Sequence, residues 1–162
     1  MDSYQRAIAY LDQLQLNSAD YKIIGFILLW MACNQNFKDR DENCEQDKFQ
    51  GYFKEKASTF LNEHAECAKA SFVGLTRGSQ PRNDVINQRS GKKVKLLEQN
   101  GNLTAASLAK VLYTIRCNLF HGEKDLLYNN EDRDLVGWGY DVLLGVFVPE
   151  LAREDSDVST RN

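Results

Sequence analysis

Residues 104–122 read TAASLAKVLYTIRCNLFHG, and this stretch decides the fold. Leu108, Val111, Leu112, Ile115 and Leu119 recur at intervals of three and four, which places them on one face of an α-helix and makes that face a core stripe. Thr104 offers a hydroxyl at the N-cap position, and Gly122 stands where a glycine commonly closes a helix. The pattern predicts a helix over 105–120 that needs other helices around it. Its last turns carry Arg116, Asn118 and His121.

The flanking sequence supplies those neighbours. Ala7, Ile8, Leu11 and Leu14 mark a one-faced helix over 3–14. After N-cap chemistry at Asn17 and Ser18, a second helix extends to about residue 36. Ile24, Ile27, Leu28, Trp30 and Met31 make it apolar nearly all round, as suits the central helix of a bundle. Phe49, Phe53, Phe60, Leu61 and Ala68 predict a third helix over 47–70, broken near His64. A last helix begins at Asn130, with Glu131 and Asp132 in its first turn, and ends before Pro149. With two prolines and little alternation of apolar and polar residues, the chain is expected to be all-α, a compact bundle of about five helices. Residues 1–151 are read as a single domain and 152–162 as a disordered polar tail.

Composition narrows the classes of function. The chain has 162 residues, 43% of them hydrophobic, and a formal net charge of −3, so any nucleic-acid contact must use a local patch. Its four cysteines include no C-x-x-C pair and its two histidines complete no zinc set, so no metal and no cofactor are expected. Four unpaired thiols suit a reducing cytosol; Cys33 and Cys117 lie in apolar stretches, where a thiol packs as a small hydrophobe. The longest apolar run, 23–32, is too short to span a bilayer, and the opening residues show no signal peptide. A cytoplasmic protein without membrane contact is expected.

One stretch stands out against the acidic whole. Residues 74–95 are broken by Gly74, Gly78, Pro81 and Gly91 and carry Arg77, Arg82, Arg89, Lys92, Lys93 and Lys95 against the single acid Asp84. Two readings remain open: a solvated loop containing a short helix, or an electrostatic footprint for an RNA backbone, which Lys124 would extend.

The end of the 105–120 helix supplies the chemistry. Arginine holds a fixed charge in a bidentate geometry that suits phosphate, and histidine exchanges protons near neutral pH. Arg116 and His121, five residues apart, point about 140° away from each other on an ideal helix. They can act together if His121 swings back where the helix ends, or if a twofold axis brings in a second copy. Spacing alone also admits a plain reading, with His121 capping carbonyls and Arg116 a surface ion-pair partner. Of the nearby aromatics, Tyr113, Phe120 and Tyr128 are candidates to stack a base, with the core the preferred place for Phe120. His64, beside Glu63, reads as an ordinary surface histidine.

Arg116-Cys117-Asn118-Leu119-Phe120-His121-Gly122 resembles the R-x4–6-H signature of HEPN domains. The bundle length and the single helix after the motif fit the same resemblance. It implies a compact helical domain that dimerises through its motif helices. Active relatives are metal-independent endoribonucleases, often toxins or antiviral defence effectors, in which the RNA 2′-hydroxyl attacks the adjacent phosphate to leave a 2′,3′-cyclic phosphate. On that basis Arg116, His121 and Asn118 are the expected catalytic residues, RNA the substrate, a homodimer the assembly, and an antitoxin or other regulator a further partner. Many active members carry a polar residue directly after the arginine; here that position is Cys117 and the amide follows at Asn118. The alternative is therefore an inactive HEPN domain that binds a nucleotide, RNA or a protein.

Overall fold

A computed structural model describes residues 1–121 and 129–151. Gly122, Lys124, Tyr128 and the tail 152–162 lie outside the described residues. Six α-helices are formed among the described residues: α1 (Ser3–Gln13), α2 (Ser18–Phe37), α3 (Glu45–Lys56), α4 (Ser58–Gly74), α5 (Ala105–Phe120) and α6 (Asn130–Phe147). Their starts follow local chemistry. Asp2 and Gln5 close a capping box on α1, and the Asn17 side chain accepts from the Asp20 amide at 2.9 Å. Thr104 and Ser107 make the corresponding box on α5, and Asn129 accepts from the Glu131 amide at 2.9 Å at the start of α6.

α2 packs between α1 and α6, and α5 packs mainly on α3. Phe26, Leu29, Phe37, Phe49, Phe53, Leu112 and Ile115 are fully buried where these helices meet. The contact between α2 and α6 is made close by glycine. The Tyr140 ring lies over Gly25 and the Phe26 ring over Gly139, each where a Cβ would clash.

The chain is mostly helical, as expected, with two departures. The predicted third helix is two helices, and the break falls at Ala57 rather than near His64, which lies inside α4. α3 packs on α5 whereas α4 packs on α6, so the chain must change direction between Phe53 and Phe60. Residues 74–95 contain neither a plain loop nor a short helix. They form two antiparallel hairpins, β1 (Thr76–Arg77) with β2 (Gln80–Pro81), and β3 (Asp84–Ile86) with β4 (Lys93–Lys95). Gly78 turns the first with a positive φ, and its amide donates to Glu131 Oε1 at 2.8 Å, tying the hairpin to α6. In the second hairpin Val85 pairs with Val94 and Ile86 with Lys93. Val85 is fully buried, while Lys93 and Lys95 face outward.

No helix among the described residues is long and apolar enough to cross a membrane. The four thiols are free, with Cys33 buried and Cys44 and Cys67 exposed. Burial pushes the Cys33 thiol up to about 12, so it stays protonated at pH 9. A disulfide-exchange reagent at pH 8–9 should therefore label Cys44 and Cys67 in the native protein and spare Cys33 until denaturant is added. Fast labelling of Cys33 in the native state would contradict the packing of α1 on α2.

Candidate functional site

α5 presents two different stripes beyond its core face. Tyr113, Arg116 and Phe120 follow at intervals of three and four, and Ser107, Lys110, Thr114 and His121 form the second stripe. On an ideal helix Lys110 and His121, eleven residues apart, differ in direction by only about 20°.

The first stripe is built around Arg116. Its Nη2 pairs with Glu45 Oε1 of α3 at 2.9 Å, and the Tyr113 hydroxyl donates to Glu45 Oε2 at 3.4 Å. The guanidinium carbon lies 6.0 Å from the Trp30 ring centre, 5.7 Å from Tyr113 and 5.3 Å from Phe120, so aromatic faces bracket the charge. Burial, with Cys117 and Glu45 nearby, raises the Tyr113 phenol well above its ordinary range and keeps it a neutral donor. The Arg116 side chain is 20% exposed, and its Nε is buried without a hydrogen-bond partner among the described residues. Phe120, assigned to the core by sequence, is instead 46% exposed. It sits at the last turn of α5, one residue past Leu119, which is partly buried against the core.

The second stripe meets the β3–β4 hairpin. Asn118 is 1% exposed, and its carboxamide reads the hairpin backbone twice: Nδ2 donates to Ile86 O at 2.8 Å, and Oδ1 accepts from Gln88 N at 3.0 Å. With both polar atoms used in this way, Asn118 holds the hairpin and does not face a ligand. The turn after β3 is itself ordered, since Asn87 Oδ1 accepts from the Arg89 and Ser90 amides at 3.1 Å and Gly91 closes it with a positive φ. This turn places Arg89 Nη1 3.5 Å from His121 Nε2, both on exposed residues. His121 is the C-cap residue of α5, and its amide donates to Cys117 O at 3.1 Å.

Between the hairpin, α5 and the start of α3 runs a groove of about 640 Å³. Lys92, Lys93, Lys95 and Lys110 line it against the single acid Glu98, with Thr114 and Tyr113 on its helical side. Asn87 and Lys92, which flank the turn bearing Arg89, are among its lining residues. The groove therefore offers fixed positive charge and polar groups leading along α5 toward His121.

Of the basic residues expected to contact RNA, Arg89, Lys92, Lys93 and Lys95 are exposed here. Arg77 is committed to Asp84, pairing with its carboxylate and donating to its carbonyl oxygen at 3.1 Å. Arg82 is only 5% exposed, and burial together with repulsion from Arg77 pushes its guanidinium below the ordinary arginine range. Arg77 thus ties β1 to β3, and Arg82 is buried with its Nε lacking a hydrogen-bond partner among the described residues, so neither is free to face a ligand. Lys124 lies outside the described residues. His64 is half-exposed, 3.6 Å from Glu63, as an ordinary surface histidine. Within one chain Arg116 and His121 are not brought together, since each is engaged by a different element.

Sequence reading missed Lys110. The signal was present in the spacing, because Lys110, Thr114 and His121 share a stripe. It passed unnoticed because a lone lysine on an amphipathic helix is the commonest exposed residue there is. No family model, curated protein or solved structure matches this chain.

Proposed function

We propose that the chain is a HEPN-type, metal-independent endoribonuclease that acts as a homodimer on RNA. The observation that carries this reading is the exposed His121 imidazole held 3.5 Å from an exposed guanidinium beside a lysine-lined groove. The lysines supply sequence-independent attraction to the phosphate backbone. His121 takes the proton of a 2′-hydroxyl as its oxygen attacks the adjacent phosphorus. The bond from phosphorus to the 5′-oxygen breaks, and the His121 of a second copy protonates that oxygen. The products are a 2′,3′-cyclic phosphate and a 5′-hydroxyl, and DNA is not a substrate because it lacks the attacking group. A toxin or defence effector, held in check by an antitoxin in the cytoplasm, is the setting such an activity suits.

The test is cleavage of single-stranded and structured RNA in excess EDTA. His121→Ala should lower the rate by about 100-fold or more, and the products should end in cyclic phosphate. Equal cleavage by wild type and variant assigns the activity to a contaminant and removes the reading. Light scattering tests the shared cleft, which does not survive a strictly monomeric protein.

A second reading has its own observation. Glu45 neutralises Arg116, and Asn118 is spent on the hairpin, so two of the three motif side chains serve structure. This favours an RNA-binding HEPN domain without catalysis. RNA binding that weakens in Lys92→Ala/Lys93→Ala, with no cleavage by wild type, would select it.

A further inference from the structure

The geometry points to Arg89, on the hairpin turn and outside the R-x4-H motif, as the arginine that holds the scissile phosphate beside His121, with Asn118 as the residue that positions it. This assignment rests on the ribonuclease reading and names the second half of its site.

Three observations carry it. Arg89 Nη1 lies 3.5 Å from His121 Nε2, the distance at which a phosphate oxygen can meet the guanidinium while its neighbouring 2′-oxygen meets the ring. Arg89 has no carboxylate partner among the described residues, whereas Arg116 is paired with Glu45 at 2.9 Å and bracketed by Trp30, Tyr113 and Phe120. A guanidinium already neutralised and stacked must give up those contacts before it can bind phosphate; Arg89 gives up only water and a long contact with the His121 ring. Finally, Asn118 fixes the turn at two backbone atoms, Ile86 O and Gln88 N, one residue before Arg89. A short exposed turn carrying a long side chain would otherwise sample many positions, and preorganisation of this kind is what electrostatic stabilisation of a phosphorane-like transition state requires.

The lysine groove sits on the same stripe of α5. Lys110 and His121 are separated by eleven residues, roughly 16 Å along the helix axis, and the groove wall at Asn87 and Lys92 flanks the Arg89 turn. A strand lying over Lys110 is thereby led to the Arg89–His121 pair, not to Arg116.

The experiment combines kinetics with the two histidine ring signals, His64 and His121, observed while a non-cleavable 2′-deoxy oligonucleotide is titrated. Arg89→Ala should lower kcat by about 100-fold, and Arg89→Lys should restore part of it. Asn118→Ala should lower kcat by about tenfold while KM stays within about threefold, because the groove lysines still bind the strand. In wild type the oligonucleotide should shift the His121 ring signal and leave His64 unmoved; in Arg89→Ala the His121 shift should fall by half or more.

Arg89→Ala cleaving within threefold of wild type, while His121→Ala is inactive, overturns the assignment and leaves the ribonuclease reading standing. If wild type does not cleave, that reading fails, and the titration decides the pair alone. A His121 shift lost in Arg89→Ala then supports a phosphate-binding pair, and an absent or unchanged shift overturns it. Arg89 is exposed, so its variant tests the proposal even where Asn118→Ala loosens the fold.

Discussion

Gly25→Val should lose about 3 kcal/mol of stability or more, seen as a fall in melting temperature of at least about 6 °C. A Cβ at residue 25 would stand against the Tyr140 ring, 2.7 Å from one of its carbons and nearer still to the next, with a Leu11 methyl at 3.0 Å. Tyr140 is buried and Leu11 fully so, and both are held by neighbours. Tyr140 cannot retreat without opening the α2–α6 contact, nor Leu11 without opening the α1–α2 contact, and valine adds two methyls to the clash. Its better helix propensity, about 0.5 kcal/mol relative to glycine, does not offset this. Gly74 at the end of α4 is the matched control, with nothing within 4 Å of its Cβ position. Gly74→Ala should be neutral or slightly stabilising. Melting of Gly25→Val within about 2 °C of wild type would show that the Tyr140 ring yields freely, against the packing described.

Trp30→Ala should cost about 3–5 kcal/mol. The indole sits where α2, α3 and α5 converge: its ring centre is 4.4 Å from Phe49, 6.1 Å from Phe26, 6.1 Å from Tyr113 and 6.4 Å from Phe37. Removing it leaves a cavity lined by rigid rings that cannot collapse into it. It also takes away one face of the Arg116 bracket. Trp30→Phe makes the argument specific. Trp30 Nε1 is buried without a hydrogen-bond partner among the described residues, so phenylalanine removes an unsatisfied donor while keeping most of the ring. It should cost less than about 1.5 kcal/mol. Equal losses for alanine and phenylalanine would mean that the N–H is satisfied after all.

How much of this was legible in the sequence depended on the length scale of each signal. α1, α2, α5 and α6 carry several turns of apolar periodicity together with capping side chains, and their bounds follow from those residues within a position or two. The α3–α4 break was illegible because Ala57 carries no breaker chemistry; the bend follows from the different partners of the two helices, α5 for α3 and α6 for α4. The hairpins were illegible for another reason. Their strands are two or three residues long, too short for alternation to register, and only the breakers Gly78 and Gly91, one in each turn, hinted at them. At the site, the motif marked α5 as the element to examine, but side-chain roles depended on partners distant in sequence. Glu45 takes Arg116, Ile86 and Gln88 take Asn118, and Arg89 comes to His121 across thirty-two positions. Phe120 was misassigned because heptad-like spacing does not say where a core ends.

The carboxamide of Asn118 has one more consequence. The β3–β4 ladder is three residues long on each side, and segments of that size open far more often than the helices beneath them. Because Asn118 joins the ladder to α5 at two backbone atoms, peeling the hairpin away and releasing the Arg89 guanidinium from His121 are a single event. The fraction of molecules with a complete pair then cannot exceed the fraction with a closed ladder, and under the ribonuclease function proposed above that fraction limits turnover. Activity should fade on warming before the helices melt, with a midpoint that moves when the ladder, rather than the core, is altered.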